Sequence, residues 1–232
     1  MRAERNFCPD IRRKNKMAEK DLTEKILLSY NDVFADIVNG FLFRGEDRIH
    51  PEDLSDKIVH SQYKAEDDRL HEEERDVYKL WGKCGIEIAL CGLENQSKPF
   101  RMMPARVIGY DGASYREQIL DKKRNFLTPV ITLVLYFGDS HWDHPKTLKE
   151  LFGDYPRELD GYVNDYKIHV FEIAWLTDEE ISRFKSDFRI VANFFAQKRR
   201  ANGKYKPKDP QEIEHVDAVL KLLSVMTGDK RY

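Results

Sequence analysis

Cysteine is scarce. Cys8, Cys84 and Cys91 are the three in 232 residues, and no two stand in a CxxC or other zinc-ligating spacing. An odd number without a secretory leader argues against a disulfide framework and for free thiols in a reducing cytoplasm. Long hydrophobic runs are also missing. The longest, "PVITLVLYFG" at 129–138, is about half of what a membrane-spanning helix needs. Neither sign of charge prevails: 39 basic against 41 acidic residues leave a net charge of −2. No global positive field advertises nucleic-acid binding, so any basic surface must be local. Internal repeats and low-complexity tracts are absent.

What is there can build a core: 41% of residues are hydrophobic and 12% aromatic. Residues 1–20 are basic, with Arg12-Arg13-Lys14-Asn15-Lys16 at their centre and no apolar stretch, and read as a disordered tail ahead of a second possible start at Met17. Asp21 to Glu24 resembles a capping box, followed at helical spacing by Ile26, Leu27, Tyr30, Phe34, Ile37, Val38 and Phe41. This helix should end before Gly45. Residues 46–74 are crowded with charge, with a short strand expected around Ile58–Tyr63 and "EEER" at 72–75 as a solvated approach. Strands are expected at 76–81, 86–96, 130–137 and 166–176, with an irregular helix from Pro104 to Arg124. Ile181, Phe184, Phe188, Val191 and Phe195 then predict one helix after Thr177 or Asp178, and Ile213, Val216, Leu220 and Leu223 another, suited to an antiparallel pair. The order describes a mixed α/β protein: a core over 21–176 and a helical C-terminal extension over 177–232, packed on the core or used to dimerise.

Strand pairing suggests where chemistry could sit. A three-residue loop Lys83-Cys84-Gly85, with glycine left-handed, would set Leu80 against Ile88 and Tyr78 against Leu90. One face would then carry Tyr78, Leu80, Ile86, Ile88 and Leu90, and at its far end Asp76, Glu94 and Gln96. Two carboxylates beside an amide suit a hard divalent cation such as Mg²⁺, with phosphate oxygens and water as further ligands. Strand ends are polar in any case, so the pattern alone leaves both readings open.

Other groupings are weaker. Asp139, His141, Asp143 and His144 in "GDSHWDHP" have no partner cluster elsewhere. Glu87 falls on the other face from Glu94, where a solvated or salt-bridged position is the simpler reading. Arg106 and Tyr110 share a helix face and could meet a phosphate or stack beside the site, or Tyr110 could pack in the core; Arg116, Lys122 and Lys123 follow. Lys198-Arg199-Arg200 complements a helix end whether or not it has a ligand. Phe184, Phe188 and Phe195 read as a core stripe or dimer contact.

The blocks "ERDVYKLWGKCGIEIALCGLENQ", "MPARVIGYDGASYREQI", "PVITLVLYFGDSHWDHPKTLKELF" and "VNDYKIHVFEIAWLTDEEISRFKSDFRIVANFF" resemble the recombination-promoting nuclease and putative transposase family of the PD-(D/E)xK superfamily. The likeness runs from about Leu22 onward. It implies a restriction-endonuclease-like core of helix, three antiparallel strands, helix and a further strand, within a mixed sheet of four to five strands. It also implies a cytoplasmic, Mg²⁺-dependent DNA endonuclease, with Mn²⁺ as a possible substitute and no organic cofactor, linked to recombination or mobile elements. DNA and a second copy of the chain are the implied partners. The motif's Asp falls on Asp76 and its Glu on Glu94, the usual Lys is replaced by Gln96, and Asp32 of the first helix would complete the metal shell. Neutral Gln96 can orient water but supplies no charge, so slower chemistry is implied. The alternative is a weak or inactive nuclease-like module that holds DNA or a protein.

Overall fold

The computed structural model describes residues 25–57, 61–64, 70–73, 77–93, 100–201 and 212–227. Residues 25–29 are helical, Tyr30 is extended, and helix α1 (Asn31–Leu42) follows. The expected first helix is thus bent at Tyr30; the basic tail and the proposed capping box lie outside the described residues. Strands β1 (Leu54–Asp56), β2 (Ser61–Lys64), β3 (Leu70–Glu73), β4 (Val77–Trp81) and β5 (Ile86–Leu93) precede helix α2 (Met103–Leu120). After it come β6 (Val130–Tyr136), β7 (His169–Glu172), the single-turn helix α3 (Asp178–Ile181), α4 (Phe188–Arg200) and α5 (Val216–Thr227).

Five strands form one sheet in the order β1-β4-β5-β6-β7, while β2 and β3 pair with each other. The first three are antiparallel and the last three parallel, with α2 as the crossover between β5 and β6. The expected succession of helix, three antiparallel strands, helix and strand is therefore present, in a restriction-endonuclease-like α/β core.

Both faces of the sheet are covered, and side-chain alternation shows how. Val77 and Trp81 of β4, Ile88 and Leu90 of β5, and Leu133 and Leu135 of β6 join a core with Phe34, Ile37, Phe184, Phe188 and Val219. Cys91, Val134 and Tyr136 face the other way, onto Met103, Val107 and Tyr110 of α2. Along α2 the buried stripe begins apolar and turns polar, ending in Asp111, Ser114 and Gln118. Each polar group there has a partner: Thr132 and the Tyr166 hydroxyl donate to Asp111. The Tyr78 hydroxyl lies 3.0 Å from Ser114 Oγ, and Gln118 exchanges hydrogen bonds with the Thr128 backbone at 2.7 and 3.1 Å.

The hairpin pairs one residue away from the expected register. Trp81 opposes Ile86, Lys79 opposes Ile88 and Val77 opposes Leu90. The connection is the four residues 82–85, with Gly85 left-handed at φ 63°. The Gly82 N–H is taken by Asp53 O at 3.0 Å, which extends the β1–β4 pairing. A one-residue slip exchanges faces. Tyr78 thus sits on the side of Glu87 and Ala89, and Lys79 on the side of Ile88 and Leu90.

Two charged side chains made that register illegible, because Lys79 and Glu87 are both buried. Buried charges need partners. Lys79 donates to Asp56 and stands over the Phe34 ring. Glu87 accepts from the Tyr78 hydroxyl and has Lys57 Nζ at 3.5 Å and Arg124 at 3.9 Å. The salt-bridged reading of Glu87 holds, and the solvated one does not.

The helix expected after Thr177 is two helices. Thr177 and Glu180 form the capping box of α3. Asp36 then draws the chain away from helical continuation by accepting from the Lys185 and Ser186 N–H groups at 2.8 to 3.0 Å. Phe184, Phe188 and Phe195 are all core, as their spacing suggested.

Candidate functional site

The carboxyl ends of the three parallel strands are aligned. Leu93 pairs with Tyr136, and Tyr136 with Glu172. In open α/β sheets this edge is where ligands bind. Asp76, Glu94 and Gln96 lie outside the described residues; in the chain Asp76 directly precedes β4, and Glu94 directly follows β5. The pairing that would set Asp76 and Glu94 on one face is not the observed one.

The described part of this edge is held by Glu172. Its Oε1 accepts from the Trp142 N–H and lies 3.3 Å from His141 Nδ1. His141 stacks on Trp175 with ring centroids 3.5 Å apart. Arg199 stands over that same ring at 3.9 Å and donates to Ala174 O. The loop after β6 is therefore pinned by one carboxylate and one indole. Asp139, His141, Asp143 and His144 do not converge on a common point among the described residues. His144 faces Asp143 at 3.4 Å, and His141 faces Glu172.

The residues expected to touch nucleic acid divide. Tyr110 is 2% exposed and packed in the α2 core, where Arg106 bonds its hydroxyl. A ring so enclosed cannot stack on a base, so its core reading is correct. Arg116, Lys122 and Lys123 are exposed. Arg124, next to Lys123, reaches Glu87, the residue that pairs with Val130 at the start of β6. Glu87 and Leu93 are six strand steps apart, about 20 Å. The basic residues therefore spread along α2, from Arg106 toward the end of the sheet remote from Leu93. Lys198, Arg199 and Arg200 are engaged within the fold, Arg200 with Asp178 at 2.5 Å and Leu176 O at 3.1 Å.

Asp32 is brought to residues far away in sequence. His215 Nε2 lies 3.1 and 2.9 Å from its two carboxylate oxygens, and Glu214 completes a group whose ligand atoms lie within 4.8 Å of one another. Its neighbour Asn31 donates to Pro51 O at 3.0 Å and reaches Leu54 O at 3.4 Å. Leu54 pairs with Trp81, at the end of β4 away from Val77. Asp36, one turn further along α1, carries a carboxyl held above the usual range because burial outweighs its bonds to Ser186 and Lys185. Neither Glu214 nor His215 stands out in the sequence, since 183 residues separate His215 from Asp32.

No described helix is long and apolar enough to cross a membrane. No curated protein and no solved structure matches the chain. Residues 52–205, about two thirds of the sequence, match the family model "Putative transposase, YhgA-like", a span that takes in every described strand and ends beyond α4. The chain belongs to the YhgA-like putative transposase family.

Proposed function

We propose that this protein is a metal-dependent endonuclease that hydrolyses phosphodiester bonds in DNA, in the service of recombination or mobile-element activity. The observation that carries the reading is Asp76, Glu94 and Gln96 flanking β4 and β5 in a family member with a restriction-endonuclease-like core. Their donor set fits the ion: two carboxylates and a carboxamide offer the hard oxygen ligands that Mg²⁺ or Mn²⁺ takes. When bound, such an ion polarises the scissile phosphate and offsets the charge of its transition state. Asp76 and Glu94 would hold it. Gln96 would accept a hydrogen bond from the attacking water through its amide oxygen, orienting one lone pair toward phosphorus. Asp32, which the resemblance adds as a third ligand, is instead engaged with His215 and Glu214 and is left out of this set. Arg106 and Arg116 of α2, with Lys122 and Lys123 in the turn after it, would track the DNA backbone, and a second subunit would supply the cut in the opposite strand.

The test is nicking of supercoiled plasmid by the full chain with Mg²⁺, with and without chelator. Asp76→Ala and Glu94→Ala should each lose at least about 100-fold of the rate while keeping the wild-type circular dichroism spectrum. Full activity in either variant would sink the assignment. Gln96 favours one second reading, a module that binds DNA or a protein and cuts slowly or not at all, because a neutral amide replaces the usual lysine charge. DNA binding without metal-dependent nicking would select it.

A further inference from the structure

We propose that Asp32, Glu214 and His215 form a separate site for a divalent transition-metal ion of the Zn²⁺ class, clasping α5 to α1. The donor set is one imidazole nitrogen and two carboxylates, all within 4.8 Å. This mixture suits Zn²⁺ and its neighbours better than Mg²⁺, which prefers oxygen alone. Bond lengths of about 2.0–2.2 Å put two ligands of one ion about 3.0–3.5 Å apart. His215 Nε2 is already 2.9 and 3.1 Å from the Asp32 oxygens, close to that separation. Glu214 is exposed, and rotation of its side chain brings its carboxylate in.

The imidazole is positioned from behind. Tyr30 stacks on it at 3.8 Å with the planes 13° apart. The turn that carries both C-terminal ligands is fixed by buried Asp187, which accepts from the Glu214 N–H at 3.1 Å and the His215 N–H at 2.6 Å. Beside the cluster opens a cavity of about 270 Å³, lined in part by Asp32, Asp36, Asp47, Glu214, His50 and Lys185. It leaves room for water on the open side of an ion, and its four carboxylates exceed its cations. Among the described residues, a bare His–Asp pair leaves Glu214 facing Asp32 without an ion pair of its own. A divalent ion balances all three.

All three ligands lie outside residues 52–205, so the site belongs to this chain rather than to the matched family segment. It joins two parts of the sequence that flank the matched segment, and neither Asp76 nor Glu94 is among its ligands.

The experiment is calorimetric titration of the chelator-stripped full chain with Zn²⁺, paired with Co²⁺ absorption as a reporter of a nitrogen-containing site. The wild type should bind with a visible Co²⁺ band, and Zn²⁺ should raise its melting temperature. Glu214→Gln and His215→Ala should each weaken Zn²⁺ at least about tenfold and lose the temperature gain. Asp76→Ala and Glu94→Ala should leave Zn²⁺ affinity unchanged, which separates this site from the proposed nuclease centre. Glu214 is exposed, and Asp187 holds its backbone rather than its side chain, so Glu214→Gln stays folded and keeps the test decisive. Absence of Zn²⁺ binding, equal binding by wild type and Glu214→Gln, or its loss in Glu94→Ala would overturn the proposal.

Discussion

Gly40 lies in α1 against the ring of Phe184, and replacing it with alanine sets two effects of opposite sign against each other. A Cβ there would stand 2.7 Å from Phe184 Cδ1, 3.0 Å from Cζ and closer still to Cε1. The ring borders a cavity of about 260 Å³, but two other rings limit where it can go. Phe184 is 1% exposed and is bracketed by Phe41 and Phe188 with centroids 5.1 and 4.9 Å away. Alanine in a helix interior gains about 1 kcal/mol over glycine. Overpacking a filled core costs about 1–3 kcal/mol, and a rigid aromatic ring held on two sides belongs at the upper end. The net expectation is destabilisation by about 1–2 kcal/mol, or a melting temperature about 2–8 °C lower for a chain of this size. Gly112 in α2 is the internal control, because a Cβ there meets nothing within 4 Å. Gly112→Ala should stabilise by about 1 kcal/mol, since it carries the helix propensity alone. Urea denaturation followed by circular dichroism, with m-values checked for constancy, reads both. If Gly40→Ala stabilises as much as Gly112→Ala, the packing of α1 on Phe184 is wrong.

Asp36 gives a pH dependence with a defined sign. Its folded-state pKa is raised above the ordinary carboxylate value of 3.8, so its contribution to stability is present below that pH and is lost as pH rises through the folded value. The stability of wild type relative to Asp36→Ala should therefore fall as pH rises above the ordinary carboxylate range, measured by urea midpoints; a rise would refute the burial argument. Lys79→Met should change stability by less than about 1.5 kcal/mol, because Asp56, 80% exposed at its side chain, rehydrates when its partner is removed. Lys79→Ala, which leaves a cavity, should cost about 2 kcal/mol or more in the same denaturation assay. If α2 tracks DNA, combined alanine substitution of Arg116, Lys122 and Lys123 should flatten the slope of log K against log salt by about 0.9 for each phosphate no longer neutralised.

The succession of elements was readable because β6 and the aromatic helices carry strong, unbroken periodicity. Register was not. Pattern reading assumes that charged residues face water, and Lys79 and Glu87 do not. It therefore matched Tyr78 and Leu80 to the apolar face of β5, one residue out of step. The break between α3 and α4 was hidden for a different reason. Its cause, the Asp36 carboxylate, lies about 150 residues away in the chain. β1 and β3 were obscured by their charge, whereas β2 overlaps the short strand expected around Ile58–Tyr63. For the site, two carboxylates at strand ends were visible in the residues, and only the family blocks singled them out from ordinary polar ends. The Asp32–Glu214–His215 group left no trace in the sequence, since folding alone makes those residues neighbours.

The polar seating of α2 has a consequence for how this protein can change. Apolar layers tolerate sliding, whereas hydrogen bonds are directional and fix one arrangement. Asp111 with Thr132 and Tyr166, Ser114 with Tyr78, and Gln118 with Thr128 key α2 to the sheet at three levels along its length. β5 is equally fixed by seven paired positions with β6. α2 and the sheet are thus held as one body: any rearrangement that shifts the helix along the strands must break all three sets of bonds together.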